Sequence, residues 1–331
     1  MALTYLDLQT TDPAFNLAAE EYVFDHLPRD RSYCMLWQND NAIIIGKHQN
    51  TLAEINLPFV EQRGIRVVRR LSGGGAVYHD MGNLNFTFIT DAGDADKLDF
   101  RLFCQPVVQA LARMGVQAEV NGRNDMTIDG KKFSGNSQYI REGRVMHHGT
   151  LLFDSDLSVV SQALQVDPAK IQAKGIQSVR SRVTNVRPYL PQDEPLPRFR
   201  QLLLQEIVRE NGGTPYTFTP DDLAVIRQLK ERRYDRWEWN FGESPACTLH
   251  KKQRVEGCGS VEAFLEVSKG LISGVSFRGD FFSVREPEEL AQRLLGQRPE
   301  RQAYQAALCG VDAGLYFSGL TTEQLIDLLC E

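Results

Sequence analysis

Two tight-turn signals in the middle of the chain decide what kind of sheet it can build. Asp129-Gly130 suits a two-residue turn of the primed type, and Arg141-Glu142-Gly143-Arg144 suits a slightly longer one. Strands joined so tightly must run antiparallel, because a parallel pair needs a long crossover. A purely parallel, doubly wound sheet is therefore excluded, and an α+β fold is expected. Leu84, Phe86 and Phe88 alternate with Asn85, Thr87 and Ile89 at strand spacing. Ala42 to Ile45 reads as a short buried strand and Ile65 to Arg70 as another. Asp12-Pro13 opens a capped helix over Ala14 to Phe24, and a second helix runs from about Asp99 to Met114, with Gly115 at its C-terminal cap.

At 331 residues the chain is long for one core, and two domains are expected. Pro188, Pro191, Pro195 and Pro197 mark one candidate boundary, and Gly242-Glu243-Ser244-Pro245 a second. Helical patterns lie near Arg198–Glu210 and Asp221–Arg233. Residues 250–285 return to strand spacing, with turns at Lys269-Gly270 and Arg278-Gly279-Asp280. Short helices near Glu288–Leu295 and Thr322–Leu329 finish the chain. The expected division is a larger domain over 1–243 and a small α+β domain over 244–331.

Composition removes several function classes. A net charge of -6 and no stripe of interleaved aromatic and basic residues argue against a nucleic-acid binder. No stretch approaches the roughly 20 apolar residues of a membrane span, and the N-terminus has neither a secretion signal nor a transit peptide. Six widely spaced cysteines without a CxxC pair read as reduced, mostly buried thiols rather than a disulfide framework or zinc site. A cytoplasmic protein is expected.

Four segments carry chemistry. In Arg69-Arg70-Leu71-Ser72-Gly73-Gly74-Gly75-Ala76-Val77-Tyr78-His79-Asp80, three successive glycines let the backbone approach a ligand and turn N–H groups toward it. The preceding arginines can make bidentate contacts with phosphate or carboxylate. The loop lacks a P-loop's ending and precedes a strand, so it is an anion cradle of another type. In the second segment, Lys131 and Lys132 follow the Asp129-Gly130 turn. One of them must point inward as the strand begins, although composition alone favours two solvated lysines. Third, His147 and His148 face opposite sides of a strand and cannot share a metal. His79 and His148 are expected to hydrogen-bond within a pocket or support it. Fourth, Lys174, Arg180 and Arg182 lie in a polar run that is either a solvated loop or a lid over phosphate.

Taken together the segments resemble the lipoate–protein ligase family. The matching stretches are IIIGKHQN at 43–50, RRLSGGGAVYHD at 69–80, GRND at 122–125, KKFSGNSQ at 131–138, HHGTLL at 147–152, KGIQSVRSRVTN at 174–185 and WEWNFG at 237–242. The resemblance runs from about residue 10 to 243, and the tail matches the accessory domain of the long ligases in length and position. It implies a catalytic domain like that of biotin–protein ligases, with a mixed, largely antiparallel sheet and helices. The implied reaction converts lipoic acid (or octanoate) and ATP with Mg²⁺ into lipoyl-AMP. The acyl group then passes to a lysine on lipoyl domains of 2-oxoacid dehydrogenase E2 subunits or on the glycine-cleavage H protein. A monomer is expected.

By position, the resemblance puts Arg70, Gly75, Ala76, Val77, Tyr78, Asp125, Arg180 and Arg182 at ATP or the adenylate. Ser72, Gly73, Gly74, His79 and His148 would lie at lipoate, and Lys132 would touch both the α-phosphate and the lipoyl carboxyl. Asp125 is the candidate carboxylate contact to the metal. Phe15, Leu17 or Trp37 would line an apolar slot for the dithiolane and its tail. The alternatives are an octanoyl or lipoyl transferase of the same superfamily, which often uses a cysteine thioester, and a non-catalytic ligand-binding relative. No cysteine falls inside the motifs.

Overall fold

The computed structural model describes residues 3–49, 51–91, 99–122, 124–164, 183–241, 249–268 and 271–330. Its centre is an eight-stranded sheet of β1 (Leu3–Asp7), β2 (Ser32–Trp37), β6 (Asn83–Asp91), β7 (Glu119–Asn121), β8 (Asp125–Ile128), β9 (Lys131–Arg141), β10 (Arg144–Leu152) and β11 (Thr214–Pro215). The spatial order is β11-β1-β2-β6-β10-β9-β8-β7. From β2 to β7 each neighbouring pair is antiparallel, whereas β1 runs parallel to both β2 and β11. A second sheet joins β3 (Ala42–Ile45) to β4 (Arg66–Arg69) in parallel and to β5 (Val77–His79) antiparallel.

Both tight turns form. Asp129 and Gly130 take φ of 50° and 73°, and Glu142 and Gly143 take 52° and 70°, the left-handed pair of a type I′ turn. The second loop is therefore also two residues long, shorter than its sequence suggested.

Strand alternation divides the chain between the two faces of the large sheet. Leu84, Phe86 and Phe88 of β6, with Cys34 and Leu36 of β2, bury against the helices Phe100–Arg113 and Leu196–Asn211. Tyr33, Met35, Trp37 and Ile89 face the opposite way, toward the helix Pro13–His26 and Ile226 and Leu229 of the helix Pro220–Leu229. Asp12 caps the first of these helices by accepting from Ala14 N and Phe15 N, as the Asp-Pro pair predicts. The proline cluster at 188–197 is not a boundary. Val186 N donates to Leu152 O, and the helix after the prolines supplies Phe199, Leu203 and Ile207 to the same core as β6.

The tail forms an antiparallel sheet, β12 (Leu249–Val255), β13 (Gly259–Ser268) and β14 (Leu271–Gly279), with its own core of Val261, Leu265, Phe277, Leu290, Leu325 and Leu328. A helix at Arg301–Ala307 had no sequence expectation. The expected breaks at 242–245 and the turn at Lys269-Gly270 lie outside the described residues.

Cys34, Cys104 and Cys258 are buried and unbridged, while Cys309 and Cys330 are exposed. Burial pushes the Cys34 and Cys104 thiols up to about 12. Native protein treated with iodoacetamide at pH 8 is expected to alkylate at Cys309 and Cys330 and not at those three until denaturant is added. Peptide mapping reads this directly, and rapid native modification of Cys34 or Cys104 would contradict the packing.

Candidate active site

The glycine-rich loop joins β4 to β5, and the arginines that start it are buried. Arg69 donates from Nη1 to Gly46 O (2.9 Å) and Gln49 O (2.7 Å), from Nη2 to Thr51 Oγ1 (2.6 Å), and from Nε to Trp239 O (2.8 Å). Its backbone N–H donates to Asn240 Oδ1 at 3.0 Å, which ties the WEWN segment to the loop. Arg70 donates from Nη1 to Ile44 O (3.1 Å), from Nη2 to Gly73 O (2.6 Å) and Gly75 O (2.9 Å), and from Nε to Ser72 Oγ (3.1 Å). Burial lowers both guanidinium groups to about 10, still charged at neutral pH. Both forks thus grip the protein's own backbone and shape the loop, where the sequence suggested an open fork for phosphate.

The tail closes on the same loop. Gly74, at φ 92°, donates its N–H to Phe281 O at 3.0 Å, so this amide turns to the tail rather than into the cavity. Gly279 N donates to His48 O at 2.6 Å, the His48 ring stacks on Phe281 with centroids 4.6 Å apart, and Lys47 pairs with Glu286. A Cβ on Gly73 would collide with the Phe281 carbonyl, whereas one on Gly75 would have its nearest neighbour at 4.0 Å.

Under the loop, on the sheet face that carries Trp37, lies a cavity of about 140 Å³. Leu17, Trp37 and Ile44 supply its apolar wall, Arg70, Gly74, Gly75, Ala76 and Val77 its loop side, and Phe282 a wall from the tail. A second cavity of about 560 Å³ adjoins it, lined by Tyr78, Asp125, Leu157 and Val160 among others. Ala76, Val77, Lys132, Gly135 and Thr150 line both. Lys132 therefore stands at the junction, its Nζ 2.7 Å from Asp125 Oδ1. A glycine at 135 leaves that space open, because a Cβ there would lie 3.2 Å from Lys132 Nζ. A register shift between Met126 and Thr127 sets Lys132 opposite Thr127, while Lys131 opposes Ile128 and is exposed.

The histidines divide as their neighbouring positions require. His147 is buried on the far face, stacked on Phe103 at 5.2 Å, and burial holds it well below the usual histidine range. His148 faces the cavity, and its Nε2 lies 2.6 Å from Ser72 Oγ. His79 is pushed down to about 3 by burial, then by Arg70 and His148, and is neutral at physiological pH. Its Nδ1 accepts from Asn39 Nδ2 at 3.1 Å, and its Nε2 has no partner among the described residues.

Most predicted site residues thus gather around the two cavities. Ser72 and Gly73, in the first half of the loop, line neither of them and border a small cleft with Gln138 and Ser283 instead. Phe15, proposed for the acyl slot, faces a surface cleft with Asp12 and Lys230 instead, because it lies two residues and about 200° around the helix from Leu17. Arg180, Arg182 and Lys174 lie outside the described residues. Among the described residues no three metal-ligating side chains converge. Sequence reasoning missed Phe282, whose ring reaches the cavity only through tertiary packing. It also missed Asn85, whose signal is a polar side chain alternating within an apolar strand.

Comparison with known proteins places these features. A family model described as the lipoyl protein ligase A/B catalytic domain matches residues 12–208, and one described as the bacterial lipoate protein ligase C-terminus matches 244–329. Lipoate-protein ligase LplJ of Bacillus subtilis is 46% identical, over 99% of this chain and 100% of its own. A crystal structure of lipoate-protein ligase A bound with ATP superposes with a TM-score of 0.64 at 28% identity, covering 73% of this chain and 99% of that one. A structure of P. falciparum LipL1 in complex with lipoate shares the fold, with a TM-score of 0.77 at 22% identity over 99% and 98% of the two chains.

The glycines offer a structural check. Gly75→Ala is expected to leave the denaturation midpoint unchanged, because the added methyl meets open space. Gly73→Ala must displace Phe281 and is expected to cost about 1–3 kcal/mol, the scale of an overpacked site. Equal midpoints for the two variants in guanidinium titrations would contradict the loop–tail contact.

Proposed function

The chain belongs to the lipoate–protein ligase family, and we propose that it joins lipoic acid to ATP at Lys132 before passing the acyl group to an acceptor lysine. One observation carries this reading: among the described residues one cationic side chain, Lys132, lines both a small, partly apolar cavity and the larger one beside it. Acyl adenylation needs that arrangement. A carboxylate oxygen attacks the α-phosphate, pyrophosphate leaves, and negative charge concentrates between two anions. The Lys132 ammonium, held on a sheet strand, stabilises that charge where it develops. In the second half-reaction the acceptor amine attacks the acyl carbonyl and AMP departs with the electron pair. The mixed anhydride is already activated, so no protein nucleophile is required.

The acyl chain is assigned to the small cavity, with its dithiolane against Leu17, Trp37 and Ile44, and the nucleotide to the larger one beside Ala76, Val77 and Tyr78. Arg70, Gly74, Gly75, His79 and His148 border the acyl slot, while Ser72 and Gly73 support it from behind. Asp125, in the larger cavity, fits a single carboxylate contact to Mg²⁺, whose remaining positions phosphate oxygens and water would fill. That ion would neutralise phosphate charge. Before substrate binds, Asp125 holds Lys132 in place.

The transferase alternative often uses a reactive thiol. Cys34 and Cys104 lie on the sheet's far face with raised thiol values, which supports the ligase. We further assign residues 1–243 to catalysis and 244–331 to an accessory domain that seats Phe281 and Phe282 on the loop. The acceptors are lipoyl domains of 2-oxoacid dehydrogenase E2 subunits and the glycine-cleavage H protein, modified by a cytoplasmic monomer. No helix among the described residues is long and apolar enough to cross a membrane.

Lipoate-dependent exchange of labelled pyrophosphate into ATP tests the reading, and its absence would overturn it. Lys132→Met is expected to lower exchange by about 10²–10³, the scale of one lost preorganised donor. Lys131→Met removes an exposed charge and is expected to change it by less than about threefold. If the 131 variant is the inactive one, the register through Asp129-Gly130 is wrong.

A further inference from the structure

Behind the glycine-rich loop a carboxylate that lines neither cavity ends two hydrogen-bond chains. Glu20, on the helix Pro13–His26, is 1% exposed. His148 Nδ1 lies 3.0 Å and 3.2 Å from its two oxygens, His148 Nε2 lies 2.6 Å from Ser72 Oγ, and Arg70 Nε donates to that Ser72 oxygen at 3.1 Å. On the other side Trp37 Nε1 donates to Thr87 Oγ1 at 2.9 Å, and the Thr87 hydroxyl donates to Glu20 Oε1.

Counting hydrogens fixes the direction of both chains. A guanidinium only donates, so the Ser72 hydroxyl hydrogen must go elsewhere, and His148 Nε2 is its one acceptor among the described residues. His148 then carries its own hydrogen on Nδ1, facing Glu20. An indole N–H likewise only donates, so the Thr87 hydrogen runs to Glu20 as well. Among the described residues Arg70 has no carboxylate hydrogen-bond partner, and Glu20 supplies negative charge nearby through His148 and Ser72.

We infer that Glu20 is a positioning residue that sets Arg70 through His148 and Ser72, and Trp37 through Thr87, so that one buried anion aligns the loop side and the apolar wall of the acyl slot. The inference rests on the ligase reading for the role of that slot. The Ser72–His148–Glu20 spacing also matches a nucleophile, base and carboxylate triad. Ser72 is 1% exposed, however, borders neither cavity, and already accepts from Arg70, so no acyl carbonyl can reach it.

Nitrogen NMR of histidine-labelled wild-type protein at pH 7, with His148 assigned by its loss in His148→Gln, reads the tautomer whether or not the enzyme turns over. Neutral imidazole protonated on Nδ1 is expected; protonation on Nε2, alone or as imidazolium, would overturn the inference. In pyrophosphate exchange, Glu20→Gln is expected to lower kcat/KM at least about tenfold, one charge-assisted hydrogen bond. The Glu20→Gln, Ser72→Ala double variant should fall short of the product of the single losses by at least about threefold, because both act through one chain. Losses that multiply fully, or an acyl adduct on Ser72 by intact mass, would also overturn it. No exchange in wild type would instead sink the ligase reading and leave the tautomer to decide this one.

Discussion

Where β4 leaves the small sheet, the carbonyl oxygens of Ile44, Gly46, Gln49, Gly73 and Gly75 crowd into a space that water barely enters. Buried acceptors are tolerable only when donors match them. Two adjacent guanidinium groups do so, Arg69 toward the early IIIGKHQN stretch and the WEWN helix, and Arg70 toward the glycines themselves. A guanidinium offers five donors in a fixed plane, and lysine could not reproduce that geometry. The three glycines can then run close to the sheet without a packed side chain, and the two cavities take their shape from that path.

Glycine freedom alone would leave such a loop with many conformations. The tail removes some of them by accepting the Gly74 N–H and pressing Phe282 against the cavity mouth, where its ring also meets Phe100 at 5.0 Å. The tail is therefore attached at the loop that most needs to be held. With His79 held neutral by burial, Lys132 and Arg70 are the Lys and Arg side chains that line the small cavity among the described residues. That charge balance suits a site meant to gather anions.

What the sequence disclosed was local. Asp129-Gly130 and Glu142-Gly143 demand positive φ, so both hairpins were legible, and the alternation in Leu84–Phe88 named its buried face. Strand register said only that one of Lys131 and Lys132 can enter a pocket, and the family resemblance picked Lys132. Long-range features left no such trace. The parallel pairing of β1 with β2 and β11 depends on contacts that span the chain. Glu20 and Glu21 look like a solvated helical pair, yet both are buried and partnered, by His148 and by Arg233. Arg69 and Arg70 carried the right charge for phosphate, but only tertiary packing shows that backbone oxygens take up their donors.

Everything proposed about chemistry depends on Lys132 serving two anions from one position. A non-hydrolysable lipoyl-adenylate, in which a stable linker replaces the acyl phosphate, joins those anions in one molecule. Calorimetric titration into wild type and Lys132→Met measures the contact without turnover. The account predicts tight binding to wild type and a loss of roughly 10–100-fold in the variant, the worth of a hydrogen bond to a charged group. Equal affinity for the two proteins would contradict it.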